Sequence, residues 1–438
     1  MADSAPGAAS HTWTLRAAVR AIRAGATSSA AYARALLDRI AATDARVQAW
    51  EHLDRDLALR AATACDASGN AGPLAGVGIG VKDIIATANQ PTQMGSPIHA
   101  GARPESDAEC VALLKRAGGF VLGKTVTTEF AFMHPGKTRN PWNAAHTPGG
   151  SSSGSAAAVA LGHVPAALGT QTNGSIIRPA AFCGVVGFKP TRDTLPFAGI
   201  GVFSPTLDTL GVFARNVGDC ALLASCLAEP GRIDGDLESL ERPPRLGYLA
   251  EFPWTPVDPV QQRALETALN ALQNAGARVS AVELPADWRE AQLTHRTIMR
   301  YEGSVQLGDL QTRERDRMSA ALNAALDEGR GMGEDAYRAA LSRRDSLIAA
   351  ASAWMAPFDA IVCAPAVGPA PADLAQTGDP SYCTLWTLLA CPAISIPIGL
   401  TSQGLPLGMQ LVAFAGGDDA LLAVAHWCEE RIAFRGLP

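Results

Sequence analysis

"TPGGSSSGSAAAVALG", residues 147–162, joins two textures that rarely meet. Its first half has the composition of a flexible linker: Gly149, Gly150, then Ser151, Ser152, Ser153, Gly154 and Ser155. Its second half, Ala156 to Ala160, is an apolar run that reads as a buried helix. Neither flank has the character of a domain edge. A run of serines at the start of a buried helix therefore needs another explanation, and the residues around it supply one.

Outward from this stretch, helix and strand patterns alternate. On the N-terminal side, "SDAECVALLKRAGG" reads as a capped helix ending in glycine, and "FVLGKTV" as the strand after it. Before these, "LAGVGIGVKDIIA" (residues 74–86) is a β-rich run broken by glycines, and residues 12–70 are helical, with a serine cap before Ala30. On the C-terminal side come the strands "GVVGFKPT" and "SPTLDTLGVFA" and the helix "VGDCALLASCLA". The polar stretch 229–244 resembles a boundary; beyond it lie the strand "RLGYLAEF" and a helix capped by Asp258, opened by Pro259 and stopped by Gly276. Two charge-rich helices are expected at about 309–329 and 334–355, and the chain closes on the strands "FDAIVCAPAV", "PAISIPIGL" and "PLGMQLVAF". The alternation predicts an α/β fold. Strands at both ends of the chain predict one domain over residues 1–438: N-terminal helices, a core at about 74–228, a helical cover at about 280–356, and C-terminal strands completing the sheet.

Composition narrows the function. The 438 residues are 47% hydrophobic and 18% charged, with a net charge of −6 and no basic stripe to neutralise phosphates, which argues against nucleic acid. No apolar run is long enough to cross a bilayer, and the N-terminus lacks a signal peptide's apolar segment, so a cytoplasmic protein with no membrane contact is expected. The nine cysteines include no C-x-x-C pair and read as buried free thiols. The eight histidines show no metal-binding spacing.

Three motifs invite other functions. "GGFVLGKT", residues 118–125, satisfies the phosphate-loop pattern, but a helix precedes it and Phe120-Val121-Leu122 belongs in a sheet. An NTPase stays as a remote alternative. "GVGIG" lacks the spacing of a dinucleotide loop, and its glycines read as close strand packing. "GSSSG", residues 150–154, matches a nucleophile elbow centred on Ser152, although no strand leads into it.

Lys82 is the residue that stands out. It sits in an apolar strand, where an ammonium either pairs with a neighbour such as Asp83 or loses its proton. To act as a base near neutral pH, its pKa must fall from about 10.4 towards 7. A lysine base calls for a nucleophile, and Ser175 in "GTQTNGSIIRPAAFCG" follows a small-residue turn able to aim backbone N–H groups at an oxyanion. Taken alone, Ser175 would read as a helix cap.

The lysine strand, "PGGSSSGSAAAVA" and "GTQTNGSIIRPA" together resemble the amidase signature family of serine hydrolases. "RNPWN", "GVVGFKPT" and "PAISIPIG" extend the likeness over nearly the whole chain. The resemblance implies a large mixed central β-sheet flanked by helices on both faces. It also implies a Ser–cisSer–Lys triad: Lys82 as base, Ser151 as the cis-serine with a cis Gly150–Ser151 bond, and Ser175 as nucleophile. Thr172, Asn173 and Gly174 would supply the oxyanion hole, Phe132 and Met133 could line the pocket, and no metal or cofactor is called for. Two departures stand out: Asn173 replaces a glycine, and Gln171 stands where aspartate is frequent. The function implied is hydrolysis of a small amide, or a related carbamate or ester, with a homodimer left open. The alternative is the catalytic subunit of a glutamine-dependent amidotransferase, which passes ammonia to a partner.

Overall fold

The computed structural model describes residues 10–237 and 240–432, together with 434, 436 and 438. Residues 1–9 of the expected domain and residues 238–239 of the expected boundary stretch lie outside the described residues. The N-terminal part contains α1 (Leu15–Arg23), α2 (Ser29–Val47), β1 (Trp50–His52) and α3 (Arg55–Ala67). The short strand β1 went unread because three residues carry no period. Next come β2 (Gly78–Lys82), α4 (Glu109–Arg116), β3 (Phe120–Thr125), α5 (Ser153–Ala160) and β4 (Ala166–Gln171). They are followed by α6 (Ile177–Cys183), β5 (Val186–Lys189), β6 (Thr209–Ala214) and α7 (Val217–Ser225). Then follow β7 (Arg245–Tyr248), α8 (Pro259–Asn274), β8 (Arg278–Ala281), α9 (Ala291–Glu314), α10 (Ala320–Gly331) and α11 (Glu334–Met355). The chain ends with β9 (Ala360–Cys363), α12 (Ser381–Leu388), β10 (Ala393–Leu400), β11 (Pro406–Val412) and α13 (Asp418–Ile432).

Among the described residues the strands form one mixed sheet of eleven in the order β1-β3-β2-β4-β6-β5-β10-β11-β9-β7-β8. The late strands β10 and β11 lie inside the sheet, between β5 and β9, rather than at its edge. Strand β2 runs parallel to both β3 and β4, so the C-terminal ends of β2 and β4 emerge side by side. Glycine makes that closeness possible: a Cβ at Gly80 would sit 3.2 Å from Thr125 and 3.3 Å from Ala167. The core is continuous through β2, β3, β4, α5 and α6. All nine cysteines are free and seven are buried, as expected.

Local signals failed at three places. Ser28, not Ser29, caps α2, its hydroxyl accepting from the N–H of Ala31. Helix α4 has Ala108 at its N-cap, with no side-chain cap. The nearby Asp107 is used instead by the N–H of Ala88 and by Lys115. The single helix expected at 309–329 is two, broken between Glu314 and Ala320. There Met318 is extended, Ser319 caps α10, and the Ser319 N–H donates to the Glu129 carboxylate 3.0 Å away. A distant carboxylate thus fixes a break that helical periodicity alone could not place. Helices α12 and α13 and the first half of α9 were likewise not read.

Candidate functional site

The serine run occupies the crowded centre of the fold. Helix α5 is buried on every side, which accounts for its alanines. Gly154 lies so close to the backbone of Ala49 and Val126 that any Cβ would collide with it. Gly149, at φ +81°, makes the turn into the run. Three of the four serines donate to backbone carbonyls: Ser152 to Thr170 at 3.1 Å, Ser153 to Val126 at 3.4 Å and Ser155 to Leu168 at 2.8 Å. The hydroxyl of Ser151 instead faces Lys82, and the Gly150–Ser151 peptide bond is cis.

Lys82 ends β2 and is fully buried. Its Nζ lies 2.6 Å from Ser151 Oγ and donates to Thr170 Oγ1 at 2.8 Å and Thr170 O at 3.4 Å. Burial drives its pKa well below the ordinary lysine value, opposed only in part by the charge of Asp208. The pairing of Lys82 with Asp83 is not what the fold adopts. Asp83 Oδ1 sits 3.3 Å from Nζ of Lys124, the lysine of the phosphate-loop pattern. Lys124 also donates to Thr92 Oγ1 at 2.6 Å and Ile85 O at 2.8 Å. Burial lowers the Lys124 pKa to about 8, with Asp83 pulling the other way. As that motif is strand β3, fully buried, it cradles no phosphate. Ser152 is equally committed to the Thr170 backbone and is no free nucleophile.

Ser175 lies beyond the end of β4, beside the serine run: the Ser152 N–H donates to Ser175 O at 3.4 Å. Among the described residues no hydrogen bond joins the hydroxyls of Ser151 and Ser175. The turn Thr172–Ser175 is held from outside through its side chains and carbonyls. Thr172 Oγ1 donates to Asp208 at 2.5 Å, and Thr172 O lies 3.0 Å from His295 Nε2. Thr384 Oγ1 donates to Asn173 Oδ1 at 2.8 Å, and Thr387 Oγ1 to Asn173 O at 2.6 Å. The backbone N–H groups of Thr172, Asn173, Gly174 and Ser175 find no acceptor among the described residues.

The two departures noted in the sequence are complementary here. Gln171 Oε1 accepts from the N–H groups of Ile176 and Ile177 at 2.8 and 3.1 Å, holding the start of α6. Its Nε2 reaches Thr387 Oγ1 at 3.0 Å, so Thr387 binds Gln171 and Asn173 together. Burial raises the Asp208 carboxyl to about 6 against its hydrogen bonds to Thr172, Ser204 and Phe203. Burial likewise lowers His295 to about 4, leaving a neutral ring against Thr172.

Arg178 is buried, with no carboxylate bound to it among the described residues, and donates to Gly150 O at 2.8 Å and Thr377 O at 2.7 Å. Phe132 is buried and stacks on Phe203 at 5.1 Å, whereas Met133 is about half exposed. Sequence reading did not single out His295 from His163 and His426, and missed Thr384, Thr387 and Arg178. His295, Thr384 and Thr387 lie on α9 and α12, far along the chain, and only Arg178 sat within a recognisable segment.

The chain is similar to known proteins over most of its length. Residues 31–422 match the Amidase family. The A-type chain of the glutamyl-tRNA(Gln) amidotransferase of Geobacter metallireducens is 32% identical, over 93% of this chain and 94% of the relative. Its counterpart in Acidothermus cellulolyticus is 34% identical, over 92% and 91%. Among solved structures, a native peptide amidase from Stenotrophomonas maltophilia superimposes with a TM-score of 0.84 at 30% identity, covering 98% of each chain. With the lysine strand, the serine run and the Ser175 turn all inside the matched span, the chain belongs to the Amidase family.

Proposed function

We propose that the chain cleaves an amide C–N bond through an acyl-enzyme on Ser175. The observation that carries this is the 2.6 Å contact between Ser151 Oγ and the Nζ of a lysine whose pKa burial drives well below its ordinary value. Neutral Lys82 accepts the Ser151 hydroxyl proton while Ser151 Oγ accepts that of Ser175, whose Oγ attacks the carbonyl carbon. The charge on the carbonyl oxygen is met by the free N–H groups of Thr172 to Ser175. Ser151 then protonates the leaving nitrogen, the C–N bond breaks, and water hydrolyses the ester on Ser175, regenerating both hydroxyls.

Two destinations for the released nitrogen fit this chemistry. The peptide amidase likeness supports free release, with a small amide, carbamate or ester as substrate. The amidotransferase relatives favour the other reading, in which glutamine is the amide and a partner protein receives the ammonia. That shifts the weight from the simple hydrolase towards a chain with a protein partner. The test is peptide mapping after treatment with a fluorophosphonate. Label on Ser175 that is lost in Lys82→Ala supports the triad, whereas label on Ser152 or none at all overturns it. Ammonia release from simple amides by the chain alone then supports the hydrolase. Release from glutamine only with a co-purified partner supports the amidotransferase.

A further inference from the structure

Arg300, on the third turn of α9, carries a charge that the protein balances only in part. Its side chain is 15% exposed, and its Nε and Nη1 are shielded from solvent without a hydrogen bond. The acid that faces it is Glu328, whose Oε2 lies 3.7 Å from Nε, too far for a hydrogen bond. Glu328 is already taken by Arg296, which binds both its oxygens at 2.8 and 2.9 Å. Glu302, two residues along the same helix, is saturated by Ser204, Thr206 and Tyr337. Two guanidiniums therefore share one carboxylate, and the more buried of them is left over.

The surplus charge is linked to the candidate site through Phe132. The Arg300 guanidinium lies over the Phe132 ring, 4.8 Å from its centroid. Phe132 is tied to the cis-serine through Thr128, whose hydroxyl donates to Phe132 O at 2.8 Å and whose N–H donates to Ser151 O at 3.2 Å. It is tied to the oxyanion turn through Phe203, whose N–H donates to Asp208, the acceptor for Thr172. The charge of Arg300 also reaches His295, the ring against Thr172 O. The backbone of Arg300 is fixed as well, because Gly329 lets α10 press against its carbonyl. A guanidinium with two unbonded donors, held rigidly on an aromatic ring, suits a carboxylate.

We infer that Arg300 binds an anionic group of the substrate, so that the amide cleaved belongs to a small carboxylate-bearing molecule. This rests on the proposed acyl-enzyme chemistry at Ser175. The test compares Ser175 labelling rates for two fluorophosphonates of equal length, one ending in a carboxylate and the other in its methyl ester. The wild-type protein should react at least about tenfold faster with the carboxylate probe, and Arg300→Met should lose that preference while still reacting with the ester. Arg300→Lys should keep part of it. Glu328→Gln, which removes the shared acid and leaves Arg300 in the chain, should strengthen it. Equal rates for the two probes in the wild-type protein, or a preference untouched in every variant, would overturn the inference and leave the Ser175 chemistry standing. No labelling by either probe would overturn both.

Discussion

Lys82 and Lys124 show how two buried lysines, one residue out of register in neighbouring parallel strands, come to different states. Lys124 has Asp83 at 3.3 Å and keeps a pKa of about 8, whereas Lys82 meets only hydroxyls and a carbonyl and is driven further down. Lys82→Met should lower kcat by about 10² to 10⁴-fold, measured on whichever amide the wild type cleaves. In the wild type, kcat/KM should fall as acid protonates Lys82. The stability effect follows in sign. Below about 10.4 the unfolded chain binds a proton that native Lys82 refuses, so this contribution to stability shrinks as pH drops towards the native pKa. Urea midpoints should therefore favour Lys82→Met over wild type more at pH 7 than at pH 10. Lys124→Met should behave differently. It strands the buried Asp83 and should cost about 3–5 kcal/mol by urea denaturation, while soluble protein still labels at Ser175.

Helix α12 is the element that holds the turn Thr172–Ser175, the proposed oxyanion site, through its unusual residues. Thr387 donates to Asn173 O and accepts from Gln171, while Thr384 holds the Asn173 side chain. A glycine in place of Asn173 would offer no side chain for Thr384 to bind. The asparagine thus belongs with this helix, and Gln171 with Thr387. Thr387→Val keeps the shape and removes both bonds, leaving two buried polar groups unpaired. It should cost about 1–3 kcal/mol of stability and lower kcat about tenfold with little change in KM, read by steady-state kinetics and thermal melts. A rise in KM at constant kcat would instead place α12 in substrate binding.

Across the whole molecule, the helices α9 to α11 are joined to the sheet through buried acids. Glu302 gathers Ser204, Thr206 and Tyr337, and Ser204 leads through its N–H to Asp208 and so to Thr172. Glu302→Gln keeps the volume but turns donors towards donors. It should lose about 2 kcal/mol or more, and limited proteolysis should then cut within residues 291–355 sooner than in wild type. The extent to which this was legible varies with distance along the chain. The alternation of strands and helices through residue 225 and the strands near the C-terminus could be read from period and punctuation, as could the serine run, the Lys82 strand and the Ser175 turn. Each of those signals is local, carried by residues within one or two turns of one another. The chain order gave no hint that β10 and β11 enter the middle of the sheet, because strand pairing depends on contacts across some two hundred residues. Adjacency in the chain also left open a pairing of Lys82 with Asp83 that the fold does not adopt, since the partner of a buried charge is chosen by which strands lie side by side. The sequence by itself therefore determined which residues are the candidates for the proposed chemistry. Only the tertiary structure decided which lysine is left without a carboxylate, which helix steadies the turn before Ser175, and where two arginines come to share one acid, because each depends on contacts between elements far apart in the chain.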